Sequence, residues 1–234
     1  MITMASPASH AKILFRFIAG ILVLFAAMGR SSAKASVAFE EQQSRELQKF
    51  GFDVSGFSPN QHQIIASTLS SYDRALGGHG RLARIIREYH SGENWHILYD
   101  PQWIGANSSM VLGPTVFDCQ RSQAANFSCY GSIDETAHSR IVIGHEVGHL
   151  LIRAVRDRTH VNWGLTYASL ISRNWEAIHD SNAPLEEAVI ELSLKVMDAG
   201  YFFSIASDTI ENDPVIIRQI EAWVDEFLAV LQKI

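Results

Sequence analysis

His145 and His149, with Glu146 beside the first of them, are the residues of this chain whose types and spacing could do chemistry together. They lie in the run Ile141-Val142-Ile143-Gly144-His145-Glu146-Val147-Gly148-His149-Leu150-Leu151-Ile152-Arg153, which is apolar, free of proline and compatible with a helix. Residues four apart on a helix stand about 40° apart around its axis and one turn apart along it, so the two imidazoles share a face. Histidines so placed can reach one zinc ion. A carboxylate next to the first can handle the protons of a water at the open side of that ion. The competing reading is a solvated helix face that carries His and Glu by accident. The apolar flanks weigh against it, because imidazoles and a carboxylate packed in a core need partners.

The elements that must position these residues can be read coarsely. One domain over residues 36–234 is the simplest account, since there is no internal repeat, low-complexity tract or Pro/Gly-rich linker. Residues 36–50 are polar and read as a helix or an N-terminal arm, and 36–57 could also be a pro-segment that inhibits the site. The next helix has Ser58 as N-cap and Pro59 at its first position. Its apolar residues Ile64, Ile65, Leu69 and Tyr72 recur at helical spacing, and Gly77-Gly78 stops it. Residues 84–89, 95–99 and 109–117 are short β-prone runs broken by turn-like stretches at 90–94 and Asp100-Pro101. Pro114 fits an edge strand, because it cannot donate to a ladder.

Ser132-Ile133-Asp134-Glu135 reads as a capping box opening the motif helix, which should run to about Arg156. Further helices are expected over 166–178, over 184–199 and from Asp213-Pro214 to the C-terminus. The last carries Ile217, Ile220, Trp223, Val224, Phe227 and Leu231. Strands first and helices after make an α+β fold with a small mixed sheet, the motif helix and a helical C-terminal half.

Residues 143–150 resemble the zinc-binding helix of the zincin metallopeptidases. The resemblance implies a single zincin-like domain in which His145 and His149 bind Zn2+ and Glu146 activates the attacking water as general base. It also implies a third protein ligand later in the chain. The metzincin pattern wants a glycine and a third His soon after the second; here the glycine is absent and His160 arrives late. His160 or His179 could still serve from a loop. The gluzincin pattern supplies a Glu from a later helix, followed by Ala and by an acid four residues on, and Glu187-Ala188-Val189-Ile190-Glu191 matches it.

On a helix Glu187 and Glu191 share a face, so one could bind zinc while the other orients a ligating His. Glu186 points instead toward Ile190, Ser193 and Met197, the more apolar side. The family pattern favours Glu187 as the ligand over Glu186. The substrate implied is a protein or peptide, held by β-addition to an edge strand near 110–116. Tyr167, His160, His179 and Tyr201 are candidates to stabilise the oxyanion.

The N-terminus reads as a secretory signal. Lys12 and Arg16 precede an apolar core over 17–29, and Ala33-Lys34-Ala35 offers a cleavage site. The core is shorter than the roughly 20 residues a membrane span needs. Residues 1–35 are thus expected to be removed, leaving a secreted or periplasmic domain with no stable membrane insertion. Cleavage takes four of the 19 basic residues and none of the 25 acidic ones, so the formal charge moves from −6 to −10. An acidic domain without a basic cluster is a poor nucleic-acid binder. Cys119 and Cys129, the two cysteines, fit one disulfide closing a short loop in an oxidising compartment.

Two other functions fit the same residues: an exported non-enzymatic protein whose zinc only fixes the fold, and a peptidase-like domain inactive without a partner. Glu146, which a structural zinc site does not need, favours the enzyme.

Overall fold

The computed structural model describes residues 41–124, 135–172, 192–193, 195–197 and 214–234. The chain divides into two compact units, Met1–Gln42 and Gln43–Ile234. Of the first only residues 41 and 42 are described, so the expected signal segment lies outside the described residues. All the elements named below belong to the second unit.

A helical stretch over 43–48 buries Leu47 and leads into strand β1, Phe52–Ser55. The sequence pattern predicts no strand there, because four residues with one buried aromatic carry too little alternation. Helix α1, Pro59–Ala75, begins as expected. Ser58 accepts from the Gln61 N–H while the Gln61 side chain accepts from the Ser58 N–H, and Pro59 occupies the first turn. Its buried stripe includes Ile64, Ile65, Thr68, Leu69 and Tyr72. Past Leu76 the backbone turns left-handed for four residues, Gly77, Gly78, His79 and Gly80, which ends the helix where the glycines predict.

Residues 84–89 are not a strand. They belong to helix α2, Arg81–Tyr89, whose buried side chains are Leu82, Ala83, Ile85 and Ile86. Read from Leu82, the apolar residues recur at 82, 85, 86 and 89, the helical spacing; starting at Arg84 hides it.

Strand β2, Trp95–Tyr99, pairs in parallel with β1 in the register Phe52↔Trp95 and Val54↔Ile97. Strand β3 is only Val111–Leu112, again parallel, with Leu98 opposite Val111. The sheet order is β1-β2-β3. The expected mixed sheet is therefore corrected to a parallel one, because the connection carrying α1 and α2 returns the chain to the same end. The antiparallel pairing among the described residues is one isolated bridge, Ala106↔Leu112. Pro114 is not in the edge strand but just past it, opening a 3-10 turn, Pro114–Phe117, that cuts the expected 109–117 strand short. Phe52, Ile97 and Leu112 are fully buried and form the sheet's share of the core.

A short helix α3, Cys119–Ala124, precedes the motif helix α4, Glu135–Thr159. Ser132 lies outside the described residues, and the helix continues three residues beyond the expected end. Buried residues surround its middle on nearly every side: Ile141, Ile143, Glu146, Val147, His149, Leu150, Leu151, Ile152, Ala154 and Val155. A helix buried all round is the centre of its domain. It packs on α1, α2 and the 3-10 turn, and on helices α5, Trp163–Ser172, and α6, Pro214–Lys233. Helix α5 starts three residues earlier than expected, and 173–178 lie outside the described residues. Of the expected 184–199 helix, residues 192–193 and 195–197 are described and helical.

Helix α6 follows the expected stripe, burying Ile220, Trp223, Val224, Phe227 and Leu231. Trp163, Tyr167, Trp223 and Phe227 stack between α5 and α6, with the Tyr167 and Trp223 rings 5.0 Å apart. Among the described residues, no helix is long and apolar enough to cross a membrane.

Candidate metal centre

On α4, His138, His145, His149 and Arg153 fall within about 80° of one another around the axis. That face carries the site. The Nε2 atoms of His145 and His149 are 3.0 Å apart, and their rings meet edge-on with centroids 4.6 Å apart. Two zinc ligands at about 2.0–2.1 Å in tetrahedral array stand roughly 3.3 Å from each other. The imidazole pair therefore fits one such ion to within a few tenths of an ångström. His149 is buried and His145 half-buried, so the pair opens toward solvent on the His145 side. Glu146, one residue on, is 5% exposed.

The backbone beneath the pair is held from two directions. The Tyr72 hydroxyl on α1 donates to the Gly144 carbonyl at 2.7 Å, and the Ser193 hydroxyl donates to the Ile141 carbonyl at 2.9 Å. Gly144 permits this approach: a Cβ there would overlap the Ser193 Oγ and press on the Tyr72 ring edge at 3.3 Å. Burial pushes the Tyr72 phenol far above its ordinary pKa, against the smaller opposing effect of the neighbouring Ser193 hydroxyl. A little further along, the Arg140 guanidinium donates to the Ser71 hydroxyl and to the Met197 sulfur. Sequence reasoning misses Tyr72 and Ser193, because one counts as a stripe residue and the other as filler. A glycine inside a helix, next to the first His, is the available signal, since glycine there costs about 0.5–1 kcal/mol relative to alanine.

The segment before the motif helix borders the same face. The Arg153 guanidinium donates to the Ser108 hydroxyl, and His138 Nε2 is hydrogen-bonded to the Thr115 carbonyl at 3.0 Å. Residues 138 to 153 span about 22 Å of helix, and 108 to 115 at most about 23 Å of extended chain. The segment therefore runs antiparallel to α4.

The outer edge of β3 is, however, already covered. Gly113 donates to the Gly105 carbonyl at 2.6 Å, Asn107 donates to the Val111 carbonyl at 3.2 Å, and the Asn107 side chain accepts from the Val111 N–H. Gly113 is needed for this, because a Cβ there would collide with the Trp103 carbonyl. The expected substrate edge at 110–116 is corrected accordingly: residues 105–107 occupy it. Ala106, opposite Leu112 between those two bonds, turns its own N–H and C=O outward.

The remaining candidates separate. His160 lies just past the end of α4, exposed, its N–H bonded to the Arg156 carbonyl. Eleven residues from His149 along a helix is about 16 Å, too far to share an ion or to reach an oxyanion formed at it. Tyr167 is fully buried in the aromatic stack between α5 and α6, which gives it a packing role. Glu186, Glu187, Glu191, His179 and Tyr201 lie outside the described residues. Among the described residues no group of three His, Cys, Asp or Glu converges, so the described centre consists of the two histidines and Glu146. Cys119, the first residue of α3, is not a free thiol; Cys129 lies outside the described residues.

Comparison of the chain with protein families, with curated proteins and with solved structures finds no match.

Proposed function

We propose that this protein is an exported zinc-dependent peptidase of the zincin type, with His145 and His149 as metal ligands and Glu146 as general base. The observation that carries the proposal is the convergence of the two Nε2 atoms at 3.0 Å beside a buried carboxylate, on a helix fixed from several sides. Two imidazoles that close either share a proton or aim their lone pairs at one cation, and Glu146 has a chemical role in the second case. A zinc ion held there supplies Lewis-acid activation of a water and of a scissile carbonyl. Glu146 takes the proton from that water and returns it to the leaving amine.

Glu187 is the proposed third ligand, with Glu191 orienting a histidine. Support comes from Ser193, six residues after Glu187, which reaches the motif helix at Ile141. A peptide substrate would pair in extended form with Ala106, the outward residue at the covered edge of β3. Export rests on the sequence alone; the Cys119–Cys129 disulfide is supported in addition by Cys119 not being a free thiol.

Zinc content and peptide-library cleavage by wild type, Glu146→Gln, Glu186→Ala and Glu187→Ala test the reading. Glu146→Gln should keep stoichiometric zinc and lose turnover by at least about a hundredfold, the scale of a general base's contribution. Turnover equal to wild type in Glu146→Gln would sink the mechanism and leave a structural zinc site. Zinc lost in Glu186→Ala but kept in Glu187→Ala would move the third ligand by one residue.

A further inference from the structure

The hydrogen bonds beneath the His pair have a consequence for the metal site itself. In an α-helix the C=O of residue i receives the N–H of residue i+4. The Ile141 carbonyl therefore serves the peptide N–H of His145, and the Gly144 carbonyl serves that of Gly148, the neighbour of His149. Ser193 and Tyr72 add a second donor to these same two carbonyls, at 2.9 and 2.7 Å. The Tyr72 phenol is fully buried and Ser193 is 0% exposed, and both side chains crowd the place where a Gly144 Cβ would stand. Gly144 closes the arrangement by leaving no Cβ between them. One phenol from α1 and one hydroxyl from the segment after Glu187 and Glu191 thus meet on the turn that sets the two imidazoles.

We propose that Tyr72, Gly144 and Ser193 form a clasp that positions the metal ligands: it fixes the turn bearing His145 and His149 and ties the Leu192-Ser193 segment to it, so that the ligand set is assembled before the metal arrives. This rests on the zinc reading of the His pair. Tyr72 and Ser193 are positioning residues; they act through the backbone of the ligand helix and touch neither metal nor substrate. Residues that orient metal ligands change affinity by about ten- to a hundredfold when removed.

The test measures zinc affinity by chelator competition on the full chain. Wild type is compared with Tyr72→Phe, Ser193→Ala, Gly144→Ala and the double variant Gly144→Ala/Ser193→Ala, each shown to be folded by circular dichroism and thermal melting. Tyr72→Phe and Ser193→Ala should each weaken zinc binding about tenfold or more. Gly144→Ala should lower both the melting temperature and the affinity. In the double variant the Oγ that a Cβ at 144 would overlap is gone, leaving contacts of 3.4 Å to the Ser193 Cβ and 3.3 Å to the Tyr72 ring. Its melting temperature should recover most of the way while its zinc affinity stays low, a split that simple packing damage does not produce.

Zinc affinities of Tyr72→Phe and Ser193→Ala within twofold of wild type overturn the clasp and leave the metal reading standing. A wild-type protein that binds no zinc overturns the metal reading, and the clasp with it.

Discussion

Tyr72 shows how much one enclosed polar atom constrains its surroundings. Its phenol has no solvent contact and donates to a backbone carbonyl, so ionising it in the folded state would put a charge where little stabilises it. Burial accordingly raises its pKa in the folded protein, whereas in the unfolded chain it titrates near the ordinary tyrosine value of about 10. Linkage gives the sign. A group whose folded-state pKa is raised contributes stability that is fully present below its unfolded pKa and is lost as pH rises beyond it. Urea midpoints for wild type should hold from neutral pH to about 9 and then fall between about 10 and 11. Tyr72→Phe, which cannot ionise, should fall less steeply over that interval, although its neutral-pH stability is lower by about 0.5–1.5 kcal/mol for the lost bond. Equal slopes for the two proteins above pH 10 would show that the phenol is not enclosed in solution.

At the scale of elements, local signals are legible in the sequence and non-local ones are not. Ser58-Pro59, the His145–His149 spacing and the α6 stripe are each written within a few residues, and the structure follows them. Helix α2 reads as a strand because Ile85-Ile86 looks like one unless Leu82 and Tyr89 are counted with it. The cover on β3 depends on the Asn107 side chain folding the chain back on itself, and the Tyr72–Gly144–Ser193 contact joins residues 72 and 49 positions apart. No short window of sequence contains the second contact, and the first, though it lies within residues 105–113, follows no helical or strand period that a window could register.

The left-handed run between α1 and α2 is legible as a stop but not in its extent. Positive φ continues through four residues, including His79, while the space around Gly77, Gly78 and Gly80 is open. The cost of a side chain there is thus backbone strain alone, about 1–2 kcal/mol per residue. Gly78→Ala should destabilise by that amount in chemical denaturation, and His79→Gly, at the neighbouring left-handed position, should not destabilise. A neutral Gly78→Ala would mean that this connection relaxes to another conformation without disturbing α2.

The whole molecule is arranged so that a metal at His145 and His149 would report on global stability. Helix α4 touches α1, α2, the 3-10 turn, α5 and α6, and in its middle it has no exposed residue. A ligand bound there in the native state, and weakly or not at all in the unfolded chain, stabilises the surrounding packing as well, because the enclosed middle of α4 is packed against all of these neighbours. At free zinc a hundredfold above the dissociation constant, the gain is about 2.7 kcal/mol. Unfolding midpoints should therefore rise with zinc and fall on chelation for wild type and for Glu146→Gln, which keeps both imidazoles. For His149→Ala the zinc-dependent increment should vanish, since His145 with the proposed Glu187 leaves only two of three protein ligands, too few to hold the ion at that affinity. This separates binding from turnover: Glu146→Gln and His149→Ala both lose activity, and only the second loses the stabilisation. Were wild type to unfold at the same denaturant concentration with zinc and with chelator, the convergence of the two imidazoles would be a packing arrangement and no metal site.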